Sequence, residues 1–307
     1  MDLDAELPTA AETTLGVRHT PPDFAVPPGA CDCHVHVFGL SGCFPFAAGR
    51  LYTPGPASVT DLLAVQRALR LERAVVVQPT PYGTDNACTL DALRRLGPRA
   101  RGVAVVGDAT PDALRRMHEV GVRGIRVNLE THGETDPSAA RDRLRAAASR
   151  AAPLGWHVQT YTNLAMLAAL RDDIRALPTT LVIDHFGRAS AAKGVRQPGF
   201  DALLSLLDSR KAYVKLSAAY RISSDPDHAD AAEIARALID AGPDRVLWGS
   251  DWPHPWARPG AVRDPNVVEP FRPEDDGLAL NRLARWTKGP DELRRILVDN
   301  PASLYGF

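Results

Sequence analysis

The chain has 307 residues, 45% of them hydrophobic and 24% charged, with a formal net charge of −1. That composition suits one large core. Its near-neutral balance gives no electrostatic case for nucleic acid or an anionic membrane surface, and no stretch approaches the roughly 20 apolar residues of a membrane span.

The four cysteines, Cys31, Cys33, Cys43 and Cys88, lack the paired spacing of a structural zinc site and read as free thiols suited to a reducing cytoplasm. Residues 1–28 are acidic at their start and Pro-rich at their end, with no basic or apolar leader region, so they are expected to form an N-terminal arm and not a signal peptide. A single domain, 29–307, is expected to follow.

Cys31-Asp32-Cys33-His34-Val35-His36-Val37-Phe38 reads as the first strand. Side chains alternate faces in a strand, so His34 and His36 share one. A Gly/Pro/aromatic loop, 38–56, follows, and then a helix over 58–71 with Ser58 as its cap. Further apolar, β-branched runs come at 73–78, 102–106, 122–127, 156–161, 180–185, 212–217 and 245–251. Helical patterns separate them at 88–96, 112–120, 141–154, 164–176, 200–207 and 231–241, and 292–298 closes the series after a Pro-rich stretch.

Near-continuous apolar strands alternating with helices predict a parallel sheet covered on its outer face. Eight such units without a break predict an α/β chain folded as a single-domain (β/α)8 TIM barrel. No glycine-rich dinucleotide turn follows the first strand to favour an open sheet.

In such a barrel, chemistry sits at the C-terminal ends of the strands. The polar residues expected there are His34 and His36; Gln78, Thr80 and Tyr82; Arg126 and Asn128; Gln159 and Tyr161; Asp184, His185 and Arg188; Lys215, Ser217, Tyr220 and Arg221; and Asp251 with His254. Two uses of His34, His36, His185 and Asp251 are physically sensible. They would coordinate one divalent ion, zinc or manganese, that activates water. Alternatively, the imidazoles would hydrogen-bond a carbonyl while Asp251 acts as general base, with no metal required. His157, two residues deeper than Gln159, reads as a core residue. Arginine forks around one pocket imply a carboxylated substrate, and alternation along the strand favours Arg126 over Arg123.

The ordered set Cys31-Asp32-Cys33-His34-Val35-His36, Val77-Gln78-Pro79, Gly124-Ile125-Arg126-Val127-Asn128, Asp184-His185-Phe186-Gly187-Arg188, Lys215-Leu216-Ser217-Ala218-Ala219-Tyr220-Arg221 and Gly249-Ser250-Asp251-Trp252-Pro253-His254 resembles the amidohydrolase superfamily. Within it, the set is similar to the branch that contains the pyrone-dicarboxylate lactonases. The resemblance runs from about Pro28 to Phe307.

It implies hydrolysis of a ring ester in a small carboxylated lactone from aromatic or sugar-acid catabolism, in the cytoplasm, by a monomer or homodimer. Asp251 would activate water and His34, His36 and His185 would polarise the carbonyl. Thr80, Tyr161, Arg126, Arg188 and Arg221 would hold carboxylates, with Tyr82, Gln159, Tyr220 and His254 as further substrate contacts. The segment 129–134 departs from the pattern, carrying two glutamates and no arginine, and His254 stands where an Asn is expected. Related readings of the same residues are a zinc-dependent decarboxylase, a sugar-acid or muconolactone lactonase or isomerase, and an inactive binding barrel.

Overall fold

Eight strands run parallel and pair in chain order: β1 (Cys31–Val35), β2 (Arg73–Val77), β3 (Ala100–Ala104), β4 (Val122–Asn128), β5 (His157–Tyr161), β6 (Leu181–Ile183), β7 (Ala212–Ser217) and β8 (Val246–Gly249). The computed structural model describes residues 15–256 and 262–307. Just beyond β8 the ring closes: Val35 bridges Trp252, His36 N donates to the Trp252 carbonyl at 2.8 Å, and Asp251 N donates to the His34 carbonyl at 2.9 Å. The architecture is the expected (β/α)8 barrel.

Two cores follow from strand alternation. Cys31, Cys33, Val75, Val77, Val103, Val182, Tyr213 and Leu247 fill the barrel's interior with Tyr305. The opposite-facing Val76, Ile125, Val158, Ile183, Val214 and Trp248 pack outward against the helices. Strict alternation fails in the β3–β4 pair, whose register shifts between Gly102 and Val103, and it fails again in β1, where function is concerned. The β1–β2 register shifts between Asp32 and Val35, so Cys33 and His34 both reach the interior. A bulge of this kind re-aims side chains, and here it brings His34 and His36 round to one carboxylate.

The outer layer comprises α1 (Val59–Leu69), α2 (Ala87–Leu96), α3 (Pro111–Val120), α4 (Pro137–Ala151), α5 (Leu164–Ala169), α6 (Arg171–Arg175), α7 (Phe200–Asp208), α8 (Ala231–Ala241), α9 (Asp276–Trp286), α10 (Pro290–Arg294) and α11 (Asn300–Tyr305). Ser58 and Asp61 form a reciprocal capping box that starts α1. Helix α4 begins earlier than its apolar spacing suggests because Asp136 accepts from Ser138 N and Ala139 N. The run expected over 164–176 is two short helices meeting at Leu170. Helix α9 was not expected at all; Asp275 caps it. The run expected over 292–298 is the end of α10 followed by a wide turn, Arg295–Asp299.

Of the N-terminal segment, residues 1–14 lie outside the described residues, and the remainder straps onto α9. Thr20 N and Oγ1 donate to Asp275 at 2.9 and 2.6 Å, and Asp23 N donates to Asn281 Oδ1 at 2.9 Å. The cysteines are unbridged, with only Cys43 exposed. No helix among the described residues is long and apolar enough to cross a membrane.

Candidate active site

Asp251 stands at the centre of the barrel's C-terminal end, fully buried. Its Oδ1 lies 3.5 Å from His34 Nε2, 3.5 Å from His36 Nε2 and 3.8 Å from His185 Nε2. Its Oδ2 is taken: Tyr220 OH donates at 2.7 Å, Arg221 Nε at 3.1 Å and Arg221 Nη2 at 2.7 Å. Burial alone would raise the Asp251 carboxyl, but Arg221 and His185 hold it well below the usual carboxylate range. Asp251 (φ 71°), His185 (φ 49°) and Arg188 (φ 59°) all carry the left-handed backbone that side chains disfavour, at about 1–3 kcal/mol each. Strain of that kind collects where placement matters.

Behind the histidines, each ring has a different anchor. His36 Nδ1 donates to the Val77 carbonyl at 2.7 Å; with Nδ1 protonated, the neutral ring turns a lone pair at Nε2 toward Asp251. His34 is set the opposite way. Lys215 Nζ, wholly buried, donates to Gln159 Oε1 at 2.8 Å, and both Nζ and the Asp184 Oδ1 acceptor stand 3.3 Å from His34 Nδ1; with Lys215 as the donor to Nδ1, the proton of His34 sits on Nε2. Asp184 balances the lysine charge at 3.6 Å and accepts from Gln159 Nε2 at 3.2 Å. His185 Nδ1 meets Ser217 Oγ at 2.8 Å. Burial lowers all three rings, His185 to about 4, so they stay neutral at ordinary pH.

A cavity of about 260 Å³ opens above this cluster. Of the residues singled out in the sequence, His36, His185, Asp251, Thr80, Arg126, Tyr161, Arg188 and Arg221 line it. Four substrate-binding candidates do not. Tyr82 is buried between Phe38 and Phe46 and accepts from Gly39 N at 3.0 Å. Gln159 lies beneath the floor, bound to Lys215. Tyr220 touches the site through Asp251. His254 turns away to Asp276, 3.2 Å from its Oδ1.

The lining also includes Glu130, one of the two glutamates of the divergent segment 129–134, and Tyr52, Thr131, Trp256 and Arg263, none of them expected from the sequence. Glu130 and Thr131 follow the strand-end Asn128 directly, a signal that was present. Tyr52, Trp256 and Arg263 come from long loops without periodicity.

With the His34 proton on Nδ1 instead, facing Asp184 Oδ1 at 3.3 Å, the donor set also fits a divalent ion. His34, His36 and Asp251 offer atoms all within 4.8 Å of one another. Buried Asp251 Oδ1 and His34 Nε2 have no hydrogen-bond partner, and the His36 lone pair points at the same spot.

Residues 31–307 match the amidohydrolase family. The chain belongs to that family. This amidohydrolase is 38% identical over 295 residues to a 2-pyrone-4,6-dicarboxylate hydrolase of Comamonas testosteroni, covering 92% of each chain. It is also 38% identical over 294 residues to a 4-sulfomuconolactone hydrolase of Rhizobium radiobacter, covering 94% of each. A solved structure assigned to a 2-pyrone-4,6-dicarboxylic acid hydrolase of Acinetobacter baumannii, with citric acid bound, superposes with a TM-score of 0.75 at 26% identity. It covers 91% of this chain and all of that one.

Proposed function

We propose that this amidohydrolase opens the ring ester of a small carboxylated lactone by attack of water activated at Asp251. One observation carries the reading: Asp251 keeps a free Oδ1 beside three imidazoles, on the floor of a cavity lined by arginines.

The lactone carbonyl would take the hydrogen that His34 holds on Nε2. The attacking water would donate one hydrogen to His36 Nε2 and the other to Asp251 Oδ1. As the water oxygen bonds to the carbonyl carbon, Asp251 takes its proton and His34 stabilises the resulting oxyanion. Collapse re-forms the carbonyl and breaks the ring C–O bond. The departing ring oxygen takes the proton back from Asp251, and the product is a hydroxy (or enol) acid that ionises to one further carboxylate. A divalent ion held by His34, His36, His185 and Asp251 would supply Lewis-acid polarisation of the carbonyl.

The relatives' lactone substrates and the arginine lining support the carboxylated class. The unbridged thiols support a cytoplasmic enzyme, which we take to be a monomer or homodimer. The test is ring opening of 2-pyrone-4,6-dicarboxylate by ultraviolet absorbance, and of a carboxylated muconolactone and a sugar-acid lactone by acid release, each with and without a strong chelator. Opening of any one supports the reading, the chelator deciding between the metal-free and metal-assisted forms. No opening of any sinks it.

A further inference from the structure

Four guanidiniums line the cavity, and their partners are unequal. Arg221 is committed to Asp251, with Nη2 also donating to the Pro255 carbonyl at 2.7 Å. Arg263 is gripped by Glu269 through Nε at 2.9 Å and Nη2 at 2.6 Å. Arg188 has Nε 3.5 Å from Glu130 Oε1 and spends Nη1 on the Arg221 carbonyl at 3.1 Å.

Arg126 differs. Its one hydrogen bond runs from Nη1 to the Gln78 carbonyl at 2.8 Å, its Nε is buried with no partner, and no carboxylate among the described residues lies within ion-pair distance. It is only 7% exposed. A buried guanidinium without an anion is costly, and it points into the cavity that would deliver one.

Glu130 is the counterpart. It enters the cavity from just past β4, fixed by Asn163 Nδ2 donating to its Oε2 at 3.0 Å and by its own backbone N donating to the Tyr161 carbonyl at 3.0 Å. A second ligand carboxylate seeking Arg188 would have to sit beside this anion, and like charges brought together across an interface disfavour binding. A hydroxyl would be welcomed there, since a carboxylate only accepts hydrogen bonds.

We propose that the site takes a lactone with a single carboxylate, seated on Arg126, and a hydroxyl facing Glu130, and that Glu130 is the specificity residue that turns away a second carboxylate. This rests on the lactone-hydrolase reading for the word lactone, while the charge arrangement stands without it. The test therefore uses binding of two ring acids that cannot be hydrolysed, 3-hydroxybenzoate and benzene-1,3-dicarboxylate. Calorimetry is run on the wild type, Glu130→Gln and Arg126→Met.

The wild type is expected to prefer the hydroxy acid by about tenfold or more. Glu130→Gln should erase or reverse that ratio by tightening the dicarboxylate, and Arg126→Met should weaken both acids. A dicarboxylate bound as tightly as the hydroxy acid by the wild type, or a ratio unmoved by Glu130→Gln, overturns the proposal. The lactone reading itself fails separately, on turnover.

Discussion

Arg221 spends both Nε and Nη2 on a single oxygen of Asp251, Oδ2, at 3.1 and 2.7 Å. The carboxylate is thereby polarised into two unlike atoms: one saturated and facing the rim loop, one free and facing the imidazoles. If the free oxygen is the base, Asp251→Asn replaces an acceptor with a group that cannot take a proton while keeping shape. We expect kcat to fall about 10²–10⁴-fold, with ring-acid binding retained within a few-fold. A variant that keeps full turnover would show that water is activated elsewhere.

Lys215 and Asp184 compete for His34 Nδ1, each at 3.3 Å, so the lysine bears on which nitrogen holds the proton. Lys215→Met removes that donor and leaves Asp184 and Gln159 facing an apolar chain, a loss of about 3–5 kcal/mol for a broken buried ion pair. With the lysine gone, His34 Nδ1 is expected to turn its hydrogen to Asp184, 3.3 Å away, and to offer a lone pair at Nε2. Two readouts follow. The kcat falls with KM little changed, and zinc bound per chain at a fixed free concentration rises. Unchanged zinc affinity with unchanged kcat would remove the lysine from the mechanism.

The pH behaviour follows from the buried rings. Burial pushes His185 down to about 4 and His157 to about 3, and lowers His34 and His36 as well. Each lies below its unfolded value of about 6.5, so the unfolded chain takes up protons first as pH falls. The stability these groups contribute is complete above about pH 6.5 and drains away between there and about pH 4. His254, raised by Asp276 against the effect of its burial, acts the other way: its contribution is present below about 6.5 and fades as pH rises through its raised value. Asp32, raised by burial to about 7, likewise gains stability as pH falls, whereas His118, His132 and His228 are lowered by burial and join the first set. Seven groups oppose two, so the melting temperature should drop from pH 6.5 to 4.5, and His157→Gln should shallow that slope. Turnover should show no loss near pH 6.5, its acid limb lying well below that, toward the His185 value of about 4. A melting temperature flat across this range contradicts the assignment.

Gly249 leaves room for β1. A Cβ there would stand 2.7 Å from His34 Cβ and 2.8 Å from His34 N, backbone contact that cannot be relieved by a rotamer. Gly249→Ala should cost about 1–3 kcal/mol of stability and disproportionately more activity, because the atom that moves is His34. Thermal denaturation and kcat measured together check it; a stable, fully active variant refutes it.

The barrel was legible because its strands are apolar on both faces and punctuated by helices of regular period. The order of polar residues at the strand ends was legible for the same reason, and Arg126 over Arg123 followed from alternation alone: Arg123 donates to the His118 carbonyl at 2.8 Å, outside the cavity. Other features depend on information that no local pattern carries. The bulge in β1 reverses the parity that alternation assumes. Lys215 looked like a rim cation because its position is near a strand end, yet its long side chain runs inward beneath His34. Arg263 and Trp256 sit in loops without periodicity, where Arg263 is held by Glu269 and Trp256 lies under Arg272. Helix α9 had its signal, Asp275 before Leu280 and Leu283, but Pro273 and the run of acids ahead of it read as loop.

The seam between β1 and β8 is where the ring shuts, and it is also where the chemistry stands. Asp32 Oδ1 accepts from Ser250 N across 218 positions of chain, and Asp251 N reaches the His34 carbonyl in the same stitch. The first strand made and the last therefore supply the two halves of one reactive centre. A chain halted after seven strands would own three imidazoles and no base, so a nascent or partly opened barrel is chemically silent. Catalysis reports that the circle is complete, and activity can serve as a clock for its final closure during refolding.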